Sequence, residues 1–241
     1  MTNLKTLILG MFLLAHGLYA QSNSDYPELP AKGRNIEEII PLGWQLLSQA
    51  RGDLNGDGIE DVAFAIQSSI QETVEYHDGY ESDTLQTNPR ILGIYFGKGN
   101  GKIKKVLQSN TFIINRTTPT MDEPFKGGQI LPNGELQINF YIWQCRECTS
   151  WSSHEYRFKY QNHAFELIKY EESITQRISG DETSYQFDFQ KGTVTIISTE
   201  SDEETNEQTS DKQIKKFELL QLQSIKSLKK PFQWLFQNLH I

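Results

Sequence analysis

Oxygen-bearing side chains occur at every second position of one short segment, and a glycine and a further carboxylate follow them. Calcium takes about six to eight oxygen ligands, which a tight loop supplies when alternate side chains turn inward and a backbone carbonyl joins them. Gly58 allows the sharp bend, since it has no Cβ. The sequence therefore predicts a Ca²⁺ site with five ligand residues, namely Asp53, Asn55, Asp57, Ile59 through its backbone carbonyl, and Asp61.

The spacing of this loop differs from that of an EF-hand. An EF-hand places a bidentate glutamate at the twelfth loop position, and counting from Asp53 that position holds Phe64. Asp61 is a carboxylate at the ninth position instead, where an apolar strand begins. Magnesium and a metal-free turn remain the alternatives. Magnesium usually relies on few carboxylates, whereas this loop contains several. A metal-free turn needs only one carboxylate, and several carboxylates close together repel one another. Calcium is therefore the favoured interpretation.

Residues 53–63, followed by residues 91–97 and 99–103, resemble one blade of the FG-GAP or VCBS repeat family. In that family such loops bind calcium between the strands of a β-propeller, and the resemblance assigns the same five ligand residues. Complete propellers repeat the motif, which occurs once here, so a complete propeller is not expected. The whole chain also resembles a group of exported proteins of unassigned function typical of Bacteroidetes, partly through residues 156–162. That resemblance implies a compartment and a fold but no activity.

The elements that position the loop have the pattern of β-strands. Apolar residues alternate with polar ones, or run in short groups, between turn pairs such as Asn133-Gly134, Gln161-Asn162 and Lys191-Gly192. We predict an all-β fold of antiparallel meanders, with a blade-like unit at residues 43–115. The predicted strands are residues 44–50, 61–67, 90–96, 102–108, 135–144, 155–160, 165–170, 185–189, 193–198 and 216–222. The aromatic residues 232–239 are expected to close the core as a strand or a short helix.

The first residues predict export from the cytoplasm. Residues 1–20 combine a charged start at Lys5, an apolar stretch and a small residue at Ala20, which is the order of a secretory signal peptide. Gln21 stands where a bacterial lipoprotein has a cysteine, so we expect a periplasmic or secreted protein without a lipid anchor. Residues 21–35 are predicted to be a flexible leader, and residues 36–241 a single all-β domain.

The charge balance argues against two classes of partner. The formal net charge is −8, and removal of the signal peptide, which contains one lysine and no acid, makes it −9. An acidic surface repels nucleic acid and anionic membranes. No segment after the signal peptide has the roughly 20 apolar residues of a membrane-spanning helix.

The two cysteines, Cys145 and Cys148, form a Cys-x-x-Cys pair. An exported protein meets an oxidising environment, which favours a short-range disulfide. A zinc site and a redox pair are the alternatives, although neither a second Cys-x-x-Cys nor a βαβ pattern accompanies the motif.

The long polar insertion at residues 68–89 carries the candidate ligand-binding residues Tyr76, His77 and Tyr80. Tyrosines beside acids in an exposed loop bind sugars by stacking and hydrogen bonding, and a mobile polar loop is the alternative. The acidic residues 200–212 are predicted to be a solvated hairpin loop. The function expected from the sequence is a calcium-stabilised binding module for a glycan or an envelope protein. The alternative is a hydrolase whose site the sequence does not reveal.

Overall fold

The computed structural model describes residues 26–77, 82–143, 148–201 and 208–241. Antiparallel strands dominate these residues, which confirms the predicted all-β class. The strands are β1 (Lys32–Gly33), β2 (Trp44–Gly52), β3 (Asp61–Ser68), β4 (Glu72–His77), β5 (Ser82–Thr87), β6 (Arg90–Gly97), β7 (Ile103–Ser109), β8 (Phe125–Ile130), β9 (Glu135–Ile142), β10 (Ser150–Gln161), β11 (Ala164–Gln176), β12 (Glu182–Asp188), β13 (Thr193–Ser201), β14 (Gln208–Lys216), β15 (Leu235–Phe236) and β16 (Leu239–His240), and one short helix, α1, spans Ile225–Leu228.

The first sheet has five strands in the order β1-β7-β6-β3-β2. Strands β2, β3, β6 and β7 form a four-stranded meander, and the β4–β5 hairpin projects from the connection between β3 and β6. Nearly every residue of β3 and β6 is buried, because both faces of this sheet are covered. That double burial explains why these two strands are apolar without interruption.

The second sheet is a seven-stranded meander in which β8 to β14 follow one another in chain order. Its tight turns contain residues with a positive φ, such as Gly134 at 77° and Gly192 at 65°. Between β10 and β11 the turn residues are Asn162 and His163, at 51° and 62°, one position later than the predicted pair. Glycine and asparagine adopt this conformation most readily, which is why turn pairs mark hairpins in the sequence.

One large core joins the two sheets. It includes one face of the first sheet, the inner face of the second, and residues of the connection between them, among them Phe112. The C-terminal segment, including α1 and the β15–β16 pair, also packs against this core. Of the aromatic residues near the C-terminus, Phe236 lies in β15, whereas Phe232 and Trp234 pack against the core from the irregular residues before it.

The other face of the first sheet packs against residues before β2. Leu29, Ile36 and Ile39 are buried there with β3 and β6 side chains, and β1 pairs with β7. The sequence predicts a flexible leader at residues 21–35. In the described part of this segment Leu29 is buried against the sheet and Lys32–Gly33 pair with β7, whereas most of the other side chains are exposed. The prolines and polar residues of this segment give it no periodic pattern, so the sequence does not indicate that its few buried side chains pack against the first sheet.

All but the last of the predicted strands coincide with observed ones. The sequence predicts a strand at residues 216–222, whereas β14 occupies Gln208–Lys216 and the residues after it are irregular. Every residue of β14 is exposed, so it has no apolar alternation and is held by its pairing with β13. The predicted strands also omit β4, β5 and β8, which are short and polar or glycine-containing.

Candidate functional site

The predicted calcium loop connects β2 to β3 and folds around its own side chains. Both carboxylate oxygens of Asp53 accept backbone hydrogen bonds, at 2.7 Å from Gly56 N and 2.8 Å from Gly58 N. These bonds, with that of Gly58 first, hold the pKa of Asp53 below its usual value. Both glycines have a φ of 78°, a conformation that side chains rarely adopt. The oxygens of two further predicted ligands also turn back onto the loop, Asn55 Oδ1 at 2.8 Å from Asp57 N and Asp57 Oδ1 at 2.9 Å from Ile59 N.

Asp61 differs from the other predicted ligands because it is buried, with an exposure of 1%. Its two oxygens accept hydrogen bonds at 2.8 Å from Leu54 N and at 2.8 Å from Gly97 N. The carboxylate thus ties the loop to the start of β3 and to the end of β6. Gly97 is required at this point, since a Cβ there would collide with the backbone carbonyl of Glu60.

The electrostatic environment of Asp61 disfavours its negative charge. Burial raises the pKa of this carboxyl group, and the nearby charges of Asp57 and Asp53 raise it further. Within the described residues, no lysine, arginine or histidine forms an ion pair with Asp61. The loop therefore gathers negative charge around a buried carboxylate that has only N–H groups to stabilise it.

The donor set of this loop suits a hard cation. Each carboxylate oxygen has two lone pairs, so an oxygen that accepts one N–H still has capacity for a metal ion. In the described part of the chain, however, no three histidine, cysteine, aspartate or glutamate side chains lie close enough together to hold a metal. The predicted ligand set mixes Asp53, Asp57 and Asp61 with an amide oxygen and a carbonyl oxygen. The calcium site stays a prediction.

A second constellation lies on the inner face of the seven-stranded sheet. Ser152 Oγ is 2.8 Å from Nε2 of His154, and Nδ1 of the same ring is 2.8 Å from the hydroxyl of Tyr170. Glu172 stands directly opposite His154 in the neighbouring strand. Burial lowers the pKa of His154 to about 3 and raises that of Glu172. Ser152, His154 and Tyr170 thus form one chain of hydrogen bonds at the edge of an apolar core, and Glu172 lies beside it.

This chain of contacts ends at an open cavity of about 510 Å³. Ser152 and Glu172 line the cavity together with Ile142, Ile174 and Trp151. Glu172 Oε2 is buried and has no hydrogen-bond partner among the described residues. This constellation is not predicted from the sequence. The Ser-x-His spacing on a strand was the available signal, because side chains two residues apart share one face, but the pairing of β10 with β11 is needed to add the other two groups.

The predicted ligand-binding insertion forms the β4–β5 hairpin. Tyr76 and His77 end strand β4, opposite Asp83 and Ser82 of β5. Tyr80 lies outside the described residues. The hairpin borders a cavity of about 410 Å³, whose opposite wall is residues 110–117.

Of the predicted disulfide pair, Cys145 lies outside the described residues, so the disulfide stays a prediction. Cys148 lines the 510 Å³ cavity. The predicted signal peptide also lies outside the described residues.

No protein-family model, curated protein or solved structure matches the chain. The resemblance to an FG-GAP or VCBS blade therefore stays a prediction. Among the residues that the structure describes, no helix is long and apolar enough to cross a membrane.

Proposed function

We propose that the protein is an exported β-protein stabilised by one Ca²⁺ ion in the loop of residues 53–61. The observation that carries this proposal is the burial of Asp61 without a cationic partner, next to the charges of Asp53 and Asp57. A buried charge opposes folding unless another charge or a metal compensates it. A divalent cation among these carboxylates would remove that penalty.

The position of the loop explains why a metal there would stabilise the fold. Asp61 begins β3, a central strand of the first sheet, and its second oxygen is bonded to the last residue of β6. A cation in the loop would therefore fix the ends of the two central strands at once. The four-stranded meander and the single loop entering its second strand support the similarity to one FG-GAP or VCBS blade.

Isothermal titration calorimetry of chelator-treated protein tests this proposal directly. We expect one Ca²⁺ ion to bind per chain and magnesium to bind more weakly, because the proposed ligands are mostly carboxylate and carbonyl oxygens. Asp57→Asn should weaken calcium binding, since it removes one charge but keeps an oxygen for Ile59 N. Heat signals that are absent at millimolar calcium would overturn the proposal.

We also propose that the calcium-stabilised sheet carries a binding site for a glycan beside the β4–β5 hairpin. Val74 and Leu85 of the hairpin line the 410 Å³ cavity, and the opposite wall includes Asn110, Asn115 and Arg116. Amide and guanidinium groups donate hydrogen bonds to sugar hydroxyls, and an apolar wall contacts the sugar ring. Tyr76 is on the same strand face as Val74, because the two are two residues apart.

We expect Asn115→Ala and Tyr76→Ala each to weaken glycan binding about 2–10-fold, the loss of a hydrogen bond or an aromatic contact. A glycan array identifies the ligand, and titration of that glycan measures the change. Thr84→Ala is the control, because Thr84 is exposed on the strand next to Leu85 and therefore faces away from the cavity. If the partner is an envelope protein, the glycan array should give no signal. Capture of such a protein that is lost in Tyr76→Ala would then show that the ligand is a protein and not a glycan.

A further inference from the structure

We propose that Ser152 is a nucleophile, activated by His154, that accepts the acyl group of small esters entering the 510 Å³ cavity. This site belongs to the second sheet and is independent of the calcium loop. Ser152 is half-buried and lines the cavity, whereas His154 is buried behind it. The hydroxyl is thus within reach of a ligand, and its partner nitrogen is protected from water.

The two ring nitrogens of His154 have different partners. Nδ1 is 2.8 Å from the hydroxyl of Tyr170, whose oxygen can accept a hydrogen bond from a ring N–H. In the tautomer that carries the proton on Nδ1, the ring donates to this oxygen. Nε2 is left with its lone pair toward Ser152 Oγ, also at 2.8 Å. This tautomer is the one that takes a proton from a serine hydroxyl.

The imidazole ring is held in place from a second side. Phe232, from the C-terminal segment, meets the His154 ring edge-on with the ring centroids 4.6 Å apart. With Tyr170 bonded to Nδ1, the orientation of the ring is held from two sides. A nucleophile and base that are pre-oriented in this way lose little entropy on reaction.

The reaction that this geometry supports is ester hydrolysis. Ser152 Oγ forms a bond to the carbonyl carbon while its proton moves to Nε2 of His154, and the carbonyl π electrons move to oxygen. The tetrahedral intermediate then expels the alcohol, which takes the proton from Nε2, and an acyl-serine remains. Water attacks the acyl-serine and gives its proton to Nε2, and the proton returns to Ser152 Oγ. The net products are one acid and one alcohol.

The cavity and the base together select the substrate class. Ile142, Ile174 and Trp151 provide an apolar wall for a short acyl group. His154 is a weak base, since burial lowers its pKa to about 3. A weak base gives little help to a poor leaving group, so we expect activated esters to react and amides to remain intact.

The pH dependence separates this pair from an ordinary serine and histidine. The titratable groups that face the His154 ring are Tyr156 on its own strand and Tyr170 and Glu172 on β11, and burial raises the pKa of each of them. An unperturbed histidine is protonated below about pH 6.5. Because His154 remains neutral there, we expect the reactivity of Ser152 to be level between pH 8 and 6, without a midpoint near pH 6.5.

The test is labelling of the folded protein with a fluorophosphonate probe, followed by mass spectrometry of the modified peptide. We expect the label on Ser152, no label in Ser152→Ala, and labelling at least about a hundredfold slower in His154→Gln. Ser153→Ala is the matched control, because Ser153 is the exposed next residue of the same strand and faces the opposite way. Labelling of Ser153→Ala should equal that of the unmodified sequence.

Several results would overturn the proposal. These are an unlabelled folded protein, equal labelling in Ser152→Ala, and a labelling rate that falls with a midpoint near pH 6.5. Circular dichroism distinguishes a slow His154→Gln from an unfolded one, and the Ser152 and Ser153 variants decide the question if His154→Gln does not fold. Calcium binding is measured separately, so a failure here leaves the metal proposal unaffected.

Discussion

Calcium at one hundred times its dissociation constant is expected to raise the free energy of unfolding by about 2.7 kcal/mol. For a chain of this size that corresponds to an increase in melting temperature of roughly 5–10 °C. The physical reason is that the folded loop concentrates Asp53, Asp57 and Asp61, whereas the unfolded chain separates them. Calorimetry or thermal unfolding followed by circular dichroism, in chelator and in calcium, measures the effect.

A charge-removing substitution connects this stabilisation to the loop. Asp57 is exposed, and Asp57→Asn keeps an oxygen that accepts from Ile59 N, so the metal-free protein should change little. The rise in melting temperature with calcium should shrink or disappear in this variant. Asp211→Asn is the control for a change of net charge, because Asp211 is exposed on strand β14. A rise that is the same in all three proteins would place the calcium effect outside the loop.

The sequence was sufficient to predict the local part of this site. The alternating oxygen side chains and the two glycines lie within a few consecutive residues, and they determine the conformation of the loop. The burial of Asp61 was not readable in the same way. Its bond to Gly97 joins residues 36 positions apart, so it depends on the pairing of β3 with β6, which the local pattern does not specify.

The same distinction applies to the rest of the fold. Strands with apolar alternation or apolar runs are predictable, since the polarity of each residue indicates whether its side chain faces the core or the solvent. Strand β14 was missed because its nine exposed residues are polar almost throughout. Ser152 and His154 were not recognised either, because only the β10–β11 pairing places Tyr170 and Glu172 beside them. Local patterns predict elements, whereas a site built across strands requires the register.

Phe112→Ala is expected to lower the free energy of unfolding by about 3–5 kcal/mol, the usual effect of deleting a fully buried aromatic side chain. Phe112 has an exposure of 0%. Its ring packs edge-on against Tyr156 and Phe158, with centroids 5.6 and 5.4 Å apart. Phe112 N also donates to Ser109 Oγ at the end of β7. One residue thus joins the end of the first sheet to the interior of the second.

Urea unfolding followed by tryptophan fluorescence and by far-ultraviolet circular dichroism measures the change. If residues 36–241 fold as a single domain, as the sequence predicts, both signals should move together to a lower midpoint, because loss of the shared core weakens both sheets at once. Ile178→Ala removes a large aliphatic side chain that is 84% exposed, so it should change the free energy by no more than about 0.5 kcal/mol. Two separate transitions, with only one shifted by Phe112→Ala, would mean that the sheets unfold independently and that the calcium loop stabilises only the first of them.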